Sequence, residues 1–112
     1  MDETISTNSN LGKRLNKIKK PETRCLWFQG KEIPLVSKIT IGRDRSNSLV
    51  LDDRMVSRNH ALIQKIKDAY FVRDLNSSNG TFINNLRIPK DKYFKLQKND
   101  LIRIGKVEIS II

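Results

Sequence analysis

A chain of 112 residues can hold one domain with its own core and is too short for two without metal or disulfide staples. Its single cysteine, Cys25, and single histidine, His60, exclude an internal disulfide and a Cys/His zinc site, so neither metal nor cofactor is expected. The excess of 22 basic over 12 acidic residues, net +10, favours anionic partners: phosphorylated peptides, nucleic acid or an acidic membrane surface.

The first 22 residues are polar and poor in aromatics, with Thr4, Ser6, Thr7 and Ser9 ahead of a basic run from Lys13 to Lys20. Such a stretch cannot bury enough apolar area to fold alone and reads as a flexible basic arm over 1–22. Leu11, Leu15 and Ile18 could form a turn or two of amphipathic helix, too short to be stable in water without a partner. The start lacks the apolar run of a signal peptide, and no stretch approaches the roughly 20 apolar residues of a membrane span. Membrane insertion is therefore not expected, and a reducing cytoplasm is the expected setting.

Pro21 marks a boundary, and a domain is expected over 23–112. Short runs of β-branched and aromatic residues, broken at close intervals by Gly, Asn, Asp and Pro, predict an all-β sandwich or barrel. In chain order the strands fall at 25–29 and 31–36 around Gly30, 38–41, 49–51, 61–66, 70–75, 81–83, 86–88, 93–94, 101–104 and 107–112. Ten or eleven strands suit two packed sheets. Cys25 and Trp27 are expected in the core.

Three polar segments sit at strand ends, where a rigid sheet can hold them at fixed distances: Gly42-Arg43, Ser57-Arg58-Asn59-His60 and Ser78-Asn79-Gly80-Thr81. Each has an ordinary explanation alone, Arg43 as a rim charge, Ser57 and Asn59 as turn formers, Asn79-Gly80 as a hairpin turn.

In this order, with Asn84 after Thr81 and a closing Asp100-Leu101-Ile102-Arg103-Ile104-Gly105, they resemble the forkhead-associated domain over nearly all of 39–112. The resemblance implies a small, free-standing sandwich of two twisted, mostly antiparallel sheets with about eleven strands. It also implies a non-catalytic adaptor that binds threonine-phosphorylated proteins in Ser/Thr kinase signalling, the kinase itself being a candidate partner. Asn84-Asn85 and Asn99-Asp100 stand where Asn-Gly and Gly-Asp are usual; asparagine best tolerates left-handed backbone, so both turns should survive.

Phosphothreonine carries about −1.5 to −2 charges and three acceptor oxygens, so its receptor needs converging donors and a fixed cation. The resemblance assigns the cation to Arg43, hydroxyl donors to Ser57 and Ser78, and a further donor to Arg58 through backbone or side chain. Asn79, with donor and acceptor on one amide, would hold the peptide backbone. Gly42, His60, Gly80, Thr81 and Asn84 would be scaffold, with Gly80 supplying positive φ and His60 structural rather than catalytic. A small pocket for the threonine γ-methyl would favour phosphothreonine over phosphoserine. The resemblance implies that the loop with Arg54 and Met55 reads the residue three after the phosphothreonine, Met55 suggesting an apolar or permissive choice and Arg54 an acidic one.

Thr4 and Thr7 are candidate phosphorylation sites, since some small members fold a phosphorylated N-terminal arm back onto their own site. The alternative of a basic nucleic-acid-binding β module lacks the aromatic platforms and helix or ribbon motifs of base reading. An enzyme lacks an assembled acid, base, nucleophile or metal site.

Overall fold

The computed structural model describes residues 24–112, so the arm expected over 1–22, with Thr4 and Thr7, lies outside the described residues. Eleven strands follow in order: β1 (Cys25–Phe28), β2 (Lys31–Pro34), β3 (Lys38–Gly42), β4 (Leu49–Val50), β5 (Ala61–Ile66), β6 (Ala69–Asp74), β7 (Thr81–Ile83), β8 (Leu86–Arg87), β9 (Tyr93–Lys95), β10 (Leu101–Ile104) and β11 (Val107–Ile111). They form a six-stranded sheet ordered β2-β1-β11-β10-β7-β8 and a five-stranded sheet ordered β4-β3-β5-β6-β9. Pairing is antiparallel throughout except between β3 and β4.

Side-chain alternation drives the packing of the two sheets. Ile39 and Ile41 of β3, Ala61 and Ile63 of β5 and Val72 of β6 face Leu26, Ile83, Ile102, Ile104, Ile109 and Ile111 of the other sheet, all buried. Each such isoleucine or leucine contributes about 1.5–3 kcal/mol by leaving water.

The same alternation corrects one expectation. Leu26 and Phe28 point inward, so Cys25 and Trp27 point out: Trp27 is 44% exposed and Cys25 only partly buried. Neither belongs to the buried core.

The asparagine turns form as expected. Asn84 and Asn85 have φ of 50° and 69°, and Asn99 has 74°, all in the left-handed region that asparagine tolerates.

The two ends of the sandwich differ. The β3–β4, β4–β5 and β6–β7 loops gather at the end where β10 turns through Gly105 into β11, because Asp53 accepts the Lys106 amide at 2.9 Å and Thr81 pairs with Ile104. At the other end Cys25 and Ile112 exchange backbone hydrogen bonds of 3.3 and 2.9 Å.

Candidate functional site

The loop cluster is built on close backbone approaches. The Arg43 amide donates to the Ser57 carbonyl at 3.0 Å and the Asp44 amide to the Arg58 carbonyl at 3.2 Å. A Cβ on Gly42 would lie 2.1 Å from the Arg58 carbonyl oxygen, so only glycine fits there. Buried Asn47 seals the same junction, its Nδ2 donating to the carbonyls of Asp44 at 2.9 Å and Arg58 at 2.7 Å.

Arg43 is exposed, yet its guanidinium is anchored: Nε donates to the Val56 carbonyl at 3.0 Å. The two terminal NH2 groups have no partner among the described residues, leaving a planar fork aimed from a fixed base. Ser57 Oγ accepts the Ser78 amide at 3.1 Å, which brings the second loop to the third and leaves the Ser57 hydroxyl proton available. Asn79 crosses the same gap, with Nδ2 donating to the Met55 carbonyl at 2.9 Å, and among the described residues its Oδ1 and second N–H have no partner. Arg54, Met55, Arg58 and Ser78 are exposed around this centre.

Beneath the surface lies a polar core. His60 is fully buried; its Nδ1 accepts the Ser57 amide at 3.0 Å, which leaves Nε2 as the protonated nitrogen, donating to the Gly80 carbonyl at 2.9 Å. It is the Ser57 backbone amide, not the hydroxyl, that meets the imidazole, so the pair is not a nucleophile and base. Burial holds the His60 pKa below its ordinary value, against the pull of the Gly80 carbonyl and Asp74.

Asp74, also fully buried, lies 3.9 Å from His60 Nε2. Its carboxylate accepts the Ser77 hydroxyl at 2.5 Å, the Ser77 amide at 2.9 Å and the Thr81 hydroxyl at 2.7 Å. Burial pushes this carboxyl up, but bonds from the Ser77 and Thr81 side chains and the Ser77 amide, with His60 nearby, hold it below the ordinary value. Ser77 Oγ in turn accepts the Gly80 amide at 3.0 Å, so the loop ahead of β7 hangs on Asp74. Gly80 has φ of 90°, as expected of it.

Of the residues singled out from sequence, Gly42, Arg43, Ser57, Arg58, His60, Ser78, Asn79, Gly80 and Thr81 come together, with Arg54 and Met55 beside them. Asn84 does not: it lies at the opposite end, donating through Nδ2 to Asp100 at 2.9 Å and accepting the Leu101 amide at 2.9 Å. Three strand residues separate it from the loop, so it scaffolds the β7–β8 turn rather than the site. Asn47, Asp53, Asp74 and Ser77 are supports that sequence reasoning missed. Asp53 Oδ1 accepts the Met55 amide at 2.9 Å while Oδ2 holds Lys106, fixing the loop that carries Met55. The spacing Asp74-x-x-Ser77 before Asn79-Gly80 was a usable signal for a carboxylate-capped turn.

The FHA domain profile matches residues 39–105. The oxoglutarate dehydrogenase inhibitor of Corynebacterium jeikeium is 41% identical over 68 residues, 61% of this chain and 45% of the relative. EmbR of Mycobacterium tuberculosis, solved with a low-affinity phosphopeptide, superposes with a TM-score of 0.76 at 30% identity, over 91% of this chain and 28% of that one. A domain solved in work on phosphothreonine-dependent FHA domain interactions superposes with a TM-score of 0.72 at 31% identity, over 80% of this chain and 95% of the other. The chain spans less than half the length of the curated relatives it matches. With a profile match over more than half its residues and the same sandwich in solved relatives, the chain belongs to the forkhead-associated, or FHA, domain family.

Proposed function

We propose that residues 23–112 are a non-catalytic module that binds phosphothreonine peptides of partner proteins in Ser/Thr kinase signalling. The observation that carries this reading is the state of Arg43: Nε is tied to Val56 while neither terminal NH2 group has a partner among the described residues, in the loop cluster that also presents Ser57, Ser78 and Asn79. A phosphate with three acceptor oxygens matches a planar fork flanked by two hydroxyls. The free Oδ1 and second N–H of Asn79 suit the backbone of an extended peptide, which would set register beside the phosphate. Binding of phosphopeptides by solved relatives supports the same assignment.

Reach alone would allow the first 22 residues to meet the same site. Arg24 lies at the end opposite the loops, and Thr7 precedes it by 17 residues, which can extend to roughly 60 Å. That length supports self-binding of a phosphorylated Thr4 or Thr7, tested by whether phosphorylating the arm weakens peptide affinity.

The direct test is an oriented phosphothreonine peptide library screened against the wild type and Arg43→Ala. Retention of phosphopeptides by the wild type alone is expected; equal retention of unphosphorylated peptides would sink the reading.

A further inference from the structure

Arg87 stands on the edge strand β8, yet its side chain runs back over the loop that carries Asn79. A Cβ on Gly80 would lie 2.6 Å from Arg87 Nε and 2.9 Å from Cζ, so the guanidinium rests directly against the Gly80 backbone. It is the φ of 90° that calls for glycine at position 80, since the exposed arginine could swing aside from a Cβ. The Arg87 side chain is exposed and has no hydrogen bond or ion pair among the described residues.

Arg87 is not alone. It pairs with Phe82, which pairs with Arg103 in the next strand, and the Arg103 guanidinium lies 4.3 Å from the Phe82 ring centroid. The stacked ring orients Arg103 and leaves its hydrogen-bonding edge for other groups. Two arginines thus flank one aromatic ring, directly beside the residue whose amide is open to a peptide backbone.

We infer that Arg87, backed by Arg103, forms a second anion subsite that takes a carboxylate or phosphate group on a peptide residue near the phosphothreonine. The inference rests on the proposed function and extends it: Arg43 would hold the phosphothreonine, and Arg87 would choose among phosphopeptides. An extended peptide advances about 3.3 Å per residue, so the fork at Gly80 would meet a side chain within about four residues of the one held at Asn79. Such a contact is solvent-facing and modest, so it would select rather than anchor.

The test uses the full chain and a set of phosphothreonine peptides, neutral at flanking positions except for one aspartate, or one further phosphothreonine, placed in turn at each of the four positions on either side. Affinities are measured for the wild type, Arg87→Gln, Arg87→Lys and, as a control for general charge, Lys98→Gln. We expect one position at which an acidic group raises wild-type affinity about three- to tenfold. Arg87→Gln should abolish that gain while binding the neutral-flanked peptide as the wild type does. Arg87→Lys should keep part of the gain, and Lys98→Gln all of it. A gain from aspartate and phosphate alike makes the subsite a general anion reader, and a gain from phosphate alone makes it a second phosphate site. Absence of any favoured acidic position, a gain that survives Arg87→Gln, or equal loss of neutral-flanked binding would overturn the inference. Wild-type failure to bind any phosphothreonine peptide is a different result, which removes the proposed function and this subsite with it.

Discussion

His60 and Gly80 are joined by a hydrogen bond of 2.9 Å from the imidazole Nε2–H to the glycine carbonyl, which locks the β4–β5 loop to the β6–β7 loop. With Nδ1 taken by the Ser57 amide, both ring nitrogens hold backbone groups of the loops that present Ser57, Ser78 and Asn79. His60→Ala removes both bonds and leaves a cavity among buried groups. Unfolding free energy should fall by about 2–4 kcal/mol in urea titrations, and phosphopeptide affinity should drop although His60 would touch no ligand. Wild-type stability in the variant would remove the interlock.

Acid should weaken the fold. Folded His60 titrates below its ordinary value near 6.5, so between the two values the unfolded chain binds more protons and stability rises with pH. The contribution is complete above about pH 6.5 and is lost as pH falls through the folded value. Asp74, held below its ordinary 3.8, adds a second loss as pH falls from there toward its own folded value. Urea midpoints measured from about pH 7.5 down to about pH 2.5 check the sign, and His60→Gln should flatten the upper part of the decline. Midpoints that rise on acidification would contradict it.

Gly42→Ala should be among the most damaging small substitutions. One methyl at 2.1 Å from a backbone oxygen forces the β3–β4 and β4–β5 loops apart, at a cost of more than about 2 kcal/mol in thermal or urea unfolding. Phosphopeptide binding should fall with it, because Arg43 follows in sequence.

Asn85→Gly should do the reverse. At φ of 69° glycine removes the residual left-handed strain of asparagine, and the Asn-Gly pair suits a two-residue hairpin turn. Stability should rise by up to about 1 kcal/mol, read as a higher melting temperature. Peptide affinity should not change, because this turn lies at the end away from the loops.

Alternation of apolar residues made the strands legible. β5 and β6, with Ile63 and Val72 inward, needed nothing more, and the eleven strands lie within a residue or two of their expected limits. The same rule applied strictly to β1 turns Trp27 and Cys25 outward, opposite to Leu26 and Phe28, whereas apolar character alone puts both in the core. Arg43, Ser57, Ser78 and Asn79 were legible because their motifs are local in sequence. Asn47 and Asp74 were not, since their value depends on which loops meet: Asn47 reaches Arg58, 11 residues on, and Asp74 closes on Thr81 and sits beside His60 across strands. Asn84 was expected as site scaffold from the family pattern of an asparagine after Asn-Gly-Thr, but β7 carries it the length of the strand away. Arg87 gives the converse, a residue on the following strand that returns to Gly80 by its own side chain.

Calorimetric titration of one peptide in three forms, with threonine, phosphoserine or phosphothreonine at the same position, tests the central claim most directly when run on the wild type and Arg43→Ala. We expect wild-type binding of the phosphothreonine form, weaker binding of phosphoserine by about tenfold or more for the lost methyl, and none of the unphosphorylated form. Arg43→Ala should lose at least about a hundredfold for phosphothreonine while melting within a few degrees of the wild type, since Arg43 is exposed and its side chain makes one bond, to Val56, among the described residues. Wild-type binding that ignores the phosphate, or an Arg43→Ala variant that binds phosphothreonine unimpaired, would contradict it.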